Sequence, residues 1–253
     1  MVRAAGGTAG ARSRFFANSA LVMLLVVLTA FSFTYYRPVL SGTPEYPGAP
    51  SFSPVHHIHG LLFFAWMGLY AWQTHLVASG RTARHRELGL AGIAISALML
   101  PLGLILTIKG ILGRMGRDDP EPYFVTLFNV VDITTFALLM SASIACVTRH
   151  VDWHRRLTFG AALCLVGPAI SRWFLPSWLV VVPQASPWTD MAPNLLADLF
   201  LIALIFHDRR TLGRVHPATW VVILVLIPIH VATPFLAGTA MWRGMAPGLL
   251  RLW

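Results

Sequence analysis

The chain has 253 residues, of which 56% are hydrophobic and only 11% charged, with a formal charge of +9 and a mean hydropathy of +0.67. Soluble domains carry about 25% charged residues, so these figures exclude a disordered chain, a coiled coil and an ordinary soluble enzyme, and leave a polytopic helical membrane protein. The positive excess (every basic residue is Arg except Lys109) falls in short turns between apolar runs, the way membrane topology is encoded, so no nucleic-acid partner is expected.

A bilayer core of about 30 Å needs roughly 20 apolar residues in a helix. Seven such runs are predicted in chain order: 19–36, 55–79, 88–109, 123–148, 157–177, 194–207 and 218–238. Residues 1–18 read as a basic tail, 19–238 as the transmembrane domain and 239–253 as a second tail. Helices are expected because backbone groups in lipid must be satisfied within the segment. Arg3, Arg12 and Arg14 precede the first run, and no acid comes before Glu45. That resembles a leader, but the run is long and no small-residue cleavage signature follows it, so a retained helix is expected.

The turns set the direction. Arg81, Arg84 and Arg86 lie between runs two and three, Arg149, Arg155 and Arg156 between four and five, and Arg209, Arg210 and Arg214 between six and seven. All fall on the side of the N-terminal arginines, which places the N-terminus in the cytoplasm and the C-terminus outside. The chain also echoes itself. His85-Arg86-Glu87-Leu88 opens the third run and His154-Arg155-Arg156-Leu157 the fifth, while His216 comes just before the seventh. Pro101, Pro168 and Pro228 sit inside those three runs. Helix one plus three parallel hairpins is therefore the expected plan, an architecture known among transporters. Each proline frees a carbonyl four residues earlier, at Ala97, Cys164 and Leu224.

Ionisable groups inside a bilayer need a partner or a purpose. His59 is expected about one turn below the outer surface, with Asn129, Asp132, Asn194, Asp198 and Arg172 at similar or greater depth, His230 near the middle and Lys109 at the outer end of the third run. His56, His59, Phe63, Trp66, Tyr70 and Gln73 follow helical spacing and form one stripe toward the bundle interior. The prediction is an outward-facing polar cavity. Several chemistries fit it. Asn129, Asp132, Arg172, Asn194, Asp198 and Lys109 can form a buried polar network whose ion pairs only lock the bundle. His59 and His230 can be the axial ligands of a haem b, with Arg172 on its propionates. Asp132, Asp198, His59 and His230 can relay protons beside a transported solute. His56, His57 and His59 can hold a non-haem metal. A subunit or assembly factor of a larger membrane complex needs none of these. Cys146 and Cys164 read as packing residues. His85, His154 and His216, in the basic turns, are expected at anionic lipid headgroups.

Two alternatives fail on arithmetic. A retinal protein needs a lysine in its last helix, and Lys109 is in the third. A two-haem cytochrome b needs paired histidines on one helix face, but His59 and His75 stand about 160° apart. The string His57-x-His59, Gln73, Gly80-Arg81, His85-Arg86-x-Leu88-Gly89, Asp132, His154-Arg155-x-Leu157, Arg172, Asp198 and His216-Pro217 resembles a group of bacterial seven-helix integral membrane proteins. The resemblance covers residues 55–217 and implies fold and an inner-membrane location. A looser likeness to b-type membrane cytochromes rests on the intrahelical histidines.

Overall fold

The structure, a computed structural model, describes the backbone of residues 3–43, 52–174 and 186–252, and the side chains of these from Arg14 onward. Among the described residues there is no strand. The helices are α1 (Arg3–Ala30), α2 (Arg37–Ser41), α3 (Pro54–Ala78), α4 (Thr82–Met115), α5 (Phe124–Cys146), α6 (Val151–Ser171), α7 (Pro187–Ala197), α8 (Leu199–Leu212), α9 (Pro217–Ala237) and α10 (Ala240–Met245). A π-helical turn, Ser32–Tyr36, carries α1 into α2.

Six stretches are long and apolar enough to cross a membrane: Arg14–Ser41, Thr82–Met115, Phe124–Cys146, Val151–Phe174, Pro187–Leu212 and Pro217–Ala237. This is a multi-pass helical membrane protein. The second predicted run, α3, has 25 residues but is not among the six. Its length of about 37 Å suffices; its three N-terminal histidines, Gln73 and His75 dilute its apolar character.

Local chemistry explains the helix ends. Pro54, Pro187 and Pro217 each occupy the first turn, where a missing N–H costs nothing, directly after Ser53, Ser186 and His216. Gly42, Gly80 and Gly213 end helices at φ of 67°, 78° and 71°, values a side chain resists. At Gly80 the terminal carbonyls are met by Arg81 N–H to Leu76 O (2.8 Å) and Gly80 N–H to Val77 O (3.1 Å).

Four boundaries differ from the expectation. α1 starts at Arg3, inside the segment read as a basic tail. α4 starts at Thr82 and runs to Met115, so Arg84, Arg86 and Lys109 are helical. α6 starts at Val151, which brings Arg155 and Arg156 into the helix. The sixth run is two helices meeting at Asp198. Hydropathy finds only the apolar middle of a helix, whereas polar residues with good helix propensity extend it beyond the bilayer core.

α6 is the centre of the bundle. Of its most apolar window 67% is buried, against 28–39% in the other five. It packs on α5, α1, α7 and α9, while α3 packs on α1 and α4, and α4 on α5. Backbones meet closely where side chains are absent: a Cβ at Gly160 would fall 2.6 Å from Val222 Cγ1, and one at Gly103 2.9 Å from Ile133 Cγ1. Leu61, Leu90, Leu138 and Leu224 face outward, as expected where lipid is as apolar as leucine. Of the three hairpins, α3–α4 and α5–α6 pack as pairs, and α9 pairs with the preceding arm chiefly through α7.

Candidate functional site

Four chemically active side chains stand at one height. Counted from the arginine-bearing ends of their helices (Cys146, Val151, Leu212 and Pro217), Asp132 on α5, Cys164 on α6, Asp198 between α7 and α8, and His230 on α9 all lie about 20 Å along at 1.5 Å per residue. Asp132, Asn194, Asp198 and His230 are each more than nine-tenths buried. His230 Nδ1 lies 2.9 Å from Asp198 Oδ2 and 3.0 Å from Oδ1. A carboxylate only accepts, so the ring donates. Asp132 is in electrostatic contact with His230, and both Asp132 and Asp198 with Cys164. The arrangement is a buried imidazole hydrogen-bonded to one carboxylate, with a second, Asp132, in electrostatic range.

The backbone around this group is irregular in two places. The helical ladder is interrupted at Asp198, which closes α7 and opens α8. On α6, Pro168 removes the hydrogen bond to the Cys164 carbonyl. Next to it, Gly167 leaves the room that Asn194 fills; a Cβ there would fall 1.7 Å from Asn194 Oδ1.

The remaining predicted residues divide. Asn129 is exposed and leaves the buried network. Asn129 lies on the same side of α5 as the buried Asp132, Phe136, Met140 and Ser143, but one turn nearer the start of the helix, where it stays uncovered. Arg172, half-buried, donates to the Pro168 carbonyl and lies 4.3 Å over the Phe31 ring. It is in electrostatic contact with His59, and Lys109 with His56. These four form a second group at the outer end of α3. His56 Nδ1 caps its own helix at Ser53 (3.0 Å from the N–H), His57 Nδ1 meets Tyr35 OH at 2.8 Å, and His59 stacks on Phe63 at 4.0 Å. The three histidines thus turn to three different partners, and among the described residues no group of three or more His, Cys, Asp or Glu is arranged to hold a metal ion. His59 and His230 have different neighbours. On the predicted stripe, Trp66, Tyr70 and Gln73 are buried, whereas His56, His59 and Phe63 are half-buried.

Polar groups are also buried near the arginine-bearing ends of the helices. Arg156, read from sequence as a turn arginine, is 1% exposed. Its guanidinium is bidentate to Asp208, with Nε 3.2 Å from Oδ2 and Nη2 on Oδ1. Thr219 Oγ1 donates to Asp208 at 2.5 Å, and the His216 N–H at 3.0 Å. This knot ties α6, α8 and the start of α9. The three histidines expected at headgroups also have internal roles. His216 Nδ1 accepts the Ala218 N–H at 3.1 Å, His154 Nδ1 lies 2.8 Å from Ser143 Oγ, and His85 contacts the Gln73 carbonyl. Arg14, Arg81, Arg84, Arg86, Arg149, Arg209, Arg210 and Arg214 stay exposed. The signal that marks Arg156 is slight: Asp208 is an acid set among basic residues in His207-Asp208-Arg209-Arg210.

No family model, curated protein or solved structure matches this chain. Its functional reading rests on the chemistry of the buried groups.

Proposed function

We propose that this is a proton-coupled small-solute transporter of the bacterial inner membrane. It crosses seven times, with α3 as the extra span, the arginine-bearing ends in the cytoplasm and the C-terminus outside. The observation that carries the reading is the Asp132–His230–Asp198 group. Carboxylates and an imidazole at mid-membrane are costly and mark proton relays. The imidazole can pass a proton between the two carboxylates, because one nitrogen is held by Asp198 while Asp132 is close enough to feel its charge. The junction of two helices at a buried carboxylate is similar to the interrupted helices by which transporters place a site at the midplane. The basic turns support the orientation, and the exposed arginines suit anionic headgroups.

The test is current. Proteoliposomes on a solid-supported membrane, challenged in turn with neutral, anionic and cationic small solutes under an inward proton gradient, should give a transient charge movement for one class. Asp132→Asn and His230→Gln, which keeps a donor for Asp198, should each lower it at least tenfold in protein whose unfolding midpoint stays near that of wild type. Silence with every class, from well-folded wild-type protein, ends the proposal.

One observation favours a second reading, a haem-binding redox protein. Asp198 orients His230 through Nδ1 and leaves Nε2 to ligate, which is how metal-binding histidines are held. Absence of a Soret band after expression with ample haem excludes it.

A further inference from the structure

The relay group is shut off from the arginine-bearing side by two layers. Arg156, Asp208 and Thr219 stand about 3–8 Å along from those helix ends, and the Asp198–His230 pair about 20 Å along. Between the two levels lie Phe159 and Leu163 from α6, Leu201 and Leu204 from α8, and Val222 and Leu226 from α9, each no more than 2% exposed. Val222 fills the space left by the missing Cβ of Gly160. A proton or solute leaving the relay group toward that side meets this apolar layer and then the Arg156 knot.

The knot holds its bonds in two halves. On α6, Arg156 Nη1 donates to the Asp152 carbonyl at 3.0 Å and lies 3.4 Å from the Asp152 carboxylate. On the other side, Asp208 of α8 accepts from Thr219 Oγ1 and the His216 N–H at the start of α9. Among the described residues, the bonds that cross between the halves of the knot all come from the Arg156 guanidinium: Nε and Nη2 to Asp208, and Nε to Thr219. Breaking a buried ion pair is costly when it strands a charge. Parted along this seam, Arg156 keeps an acid on its own helix and Asp208 keeps two donors.

The helices beyond the seam have breaks about which to swing. α8 begins at the Asp198 junction, and α9 carries Pro228 inside it, the kind of residue at which helices bend. Both breaks lie near the height of the relay group. α8 packs on α1, α7 and α9, so the ion pair is its chief tie to α6 at this end.

We propose that the Arg156–Asp208 knot is a gate: α8 and the first half of α9 swing away from α6 about Asp198 and Pro228, opening the relay group to the arginine-bearing side. The gate rests on the transport reading for what passes through it, and adds to that reading the moving part and the side it opens.

Cys164, 1% exposed and at the height of the relay group, reports the opening. The full chain carrying Cys146→Ala is reconstituted in vesicles and treated from either side with 2-sulfonatoethyl methanethiosulfonate, a thiol reagent that does not cross lipid. A parallel Arg210→Cys protein marks the arginine-bearing side. Asp208→Asn, which removes the charge and keeps the shape, should raise the rate of Cys164 modification from that side at least tenfold and leave the rate from the other side unchanged. Arg156→Lys, which keeps the charge without the bidentate fork, should give a smaller rise from the same side, and stands in if the first variant folds poorly. No solute is needed, so the two proposals fail separately: a transport current without one-sided labelling overturns the gate alone, and one-sided labelling without current overturns the transport reading alone. No rise in either variant, or an equal rise from both sides, would overturn the gate.

Discussion

Arg156 shows how much one side chain can decide. It is the bulkiest fully buried side chain among the described residues, and its charge is met by the buried Asp208 and, at 3.4 Å, by the half-exposed Asp152. Removing Arg156 leaves Asp208 buried without its cation, at a cost of about 3–5 kcal/mol, whereas removing Asp208 leaves Arg156 still paired with Asp152. Arg156→Met should therefore lower the unfolding midpoint sharply, and Asp208→Leu by less. The double variant should recover most of the loss, because two apolar groups of similar size need no partner; unfolding midpoints of the three proteins check it. Beside this knot, His216 accepts the Ala218 N–H to start α9. Burial, and then the neighbouring Arg156 charge, hold its pKa below the ordinary value of 6.5. A histidine depressed in the folded state contributes stability that is present above pH 6.5 and lost as the pH falls below it, since the unfolded chain takes up the proton first. The midpoint should drop between pH 7 and pH 5, and His216→Asn, which keeps a capping oxygen without the titration, should flatten that dependence.

At the scale of elements, the contact between α6 and α7 is set by an absence. Gly167 offers no Cβ, and the Asn194 amide lies where one would be. The neighbouring proline weakens α6 at the same level. Gly167→Ala should displace Asn194 and cost about 1–3 kcal/mol by overpacking. Asn194→Ala in the same chain should restore the midpoint, because the clash is with that side chain; no recovery would mean that α6 itself cannot tolerate the methyl. The C-terminal element is held differently. Trp242 Nε1 donates to the Tyr123 carbonyl at 2.9 Å, and Arg243 pairs with Glu121. These contacts lay α10 against the start of α5. The ion pair is half-exposed, so Arg243→Ala should change the midpoint by no more than about 1 kcal/mol.

For the whole molecule, the crossing of α3 decides the topology. With α3 across the bilayer, the arginine-rich turns share one side and the C-terminus lies on the other. A fluorescent fusion at the C-terminus that folds only in the cytoplasm should then be dark, and a C-terminal phosphatase that works only outside should be active. The opposite pair of results would mean that six helices cross and that α3 lies elsewhere. The packing is consistent with a crossing α3, because it runs antiparallel to α4 in a close hairpin and lines α1.

Much of this was legible in the residues themselves. Apolar run length announced helices in a membrane, and proline and glycine marked the ends, because these effects act within a few residues. Counting along helices put Asp132 and Asp198 toward the outer side and His230 near the middle; measured from the arginine-bearing helix ends of the folded bundle, the three stand at one height. What pairing each would make did not follow from counting. Asp198 with His230, Arg156 with Asp208, and His154 with Ser143 all join separate helices, and whether Asn129 was covered depended on how far the neighbouring helices reached along α5. Composition and periodicity are properties of one helix at a time. The partner of a buried charge is settled only when several helices pack together, since the lowest-cost neighbour for that charge is chosen from surfaces far apart in the chain.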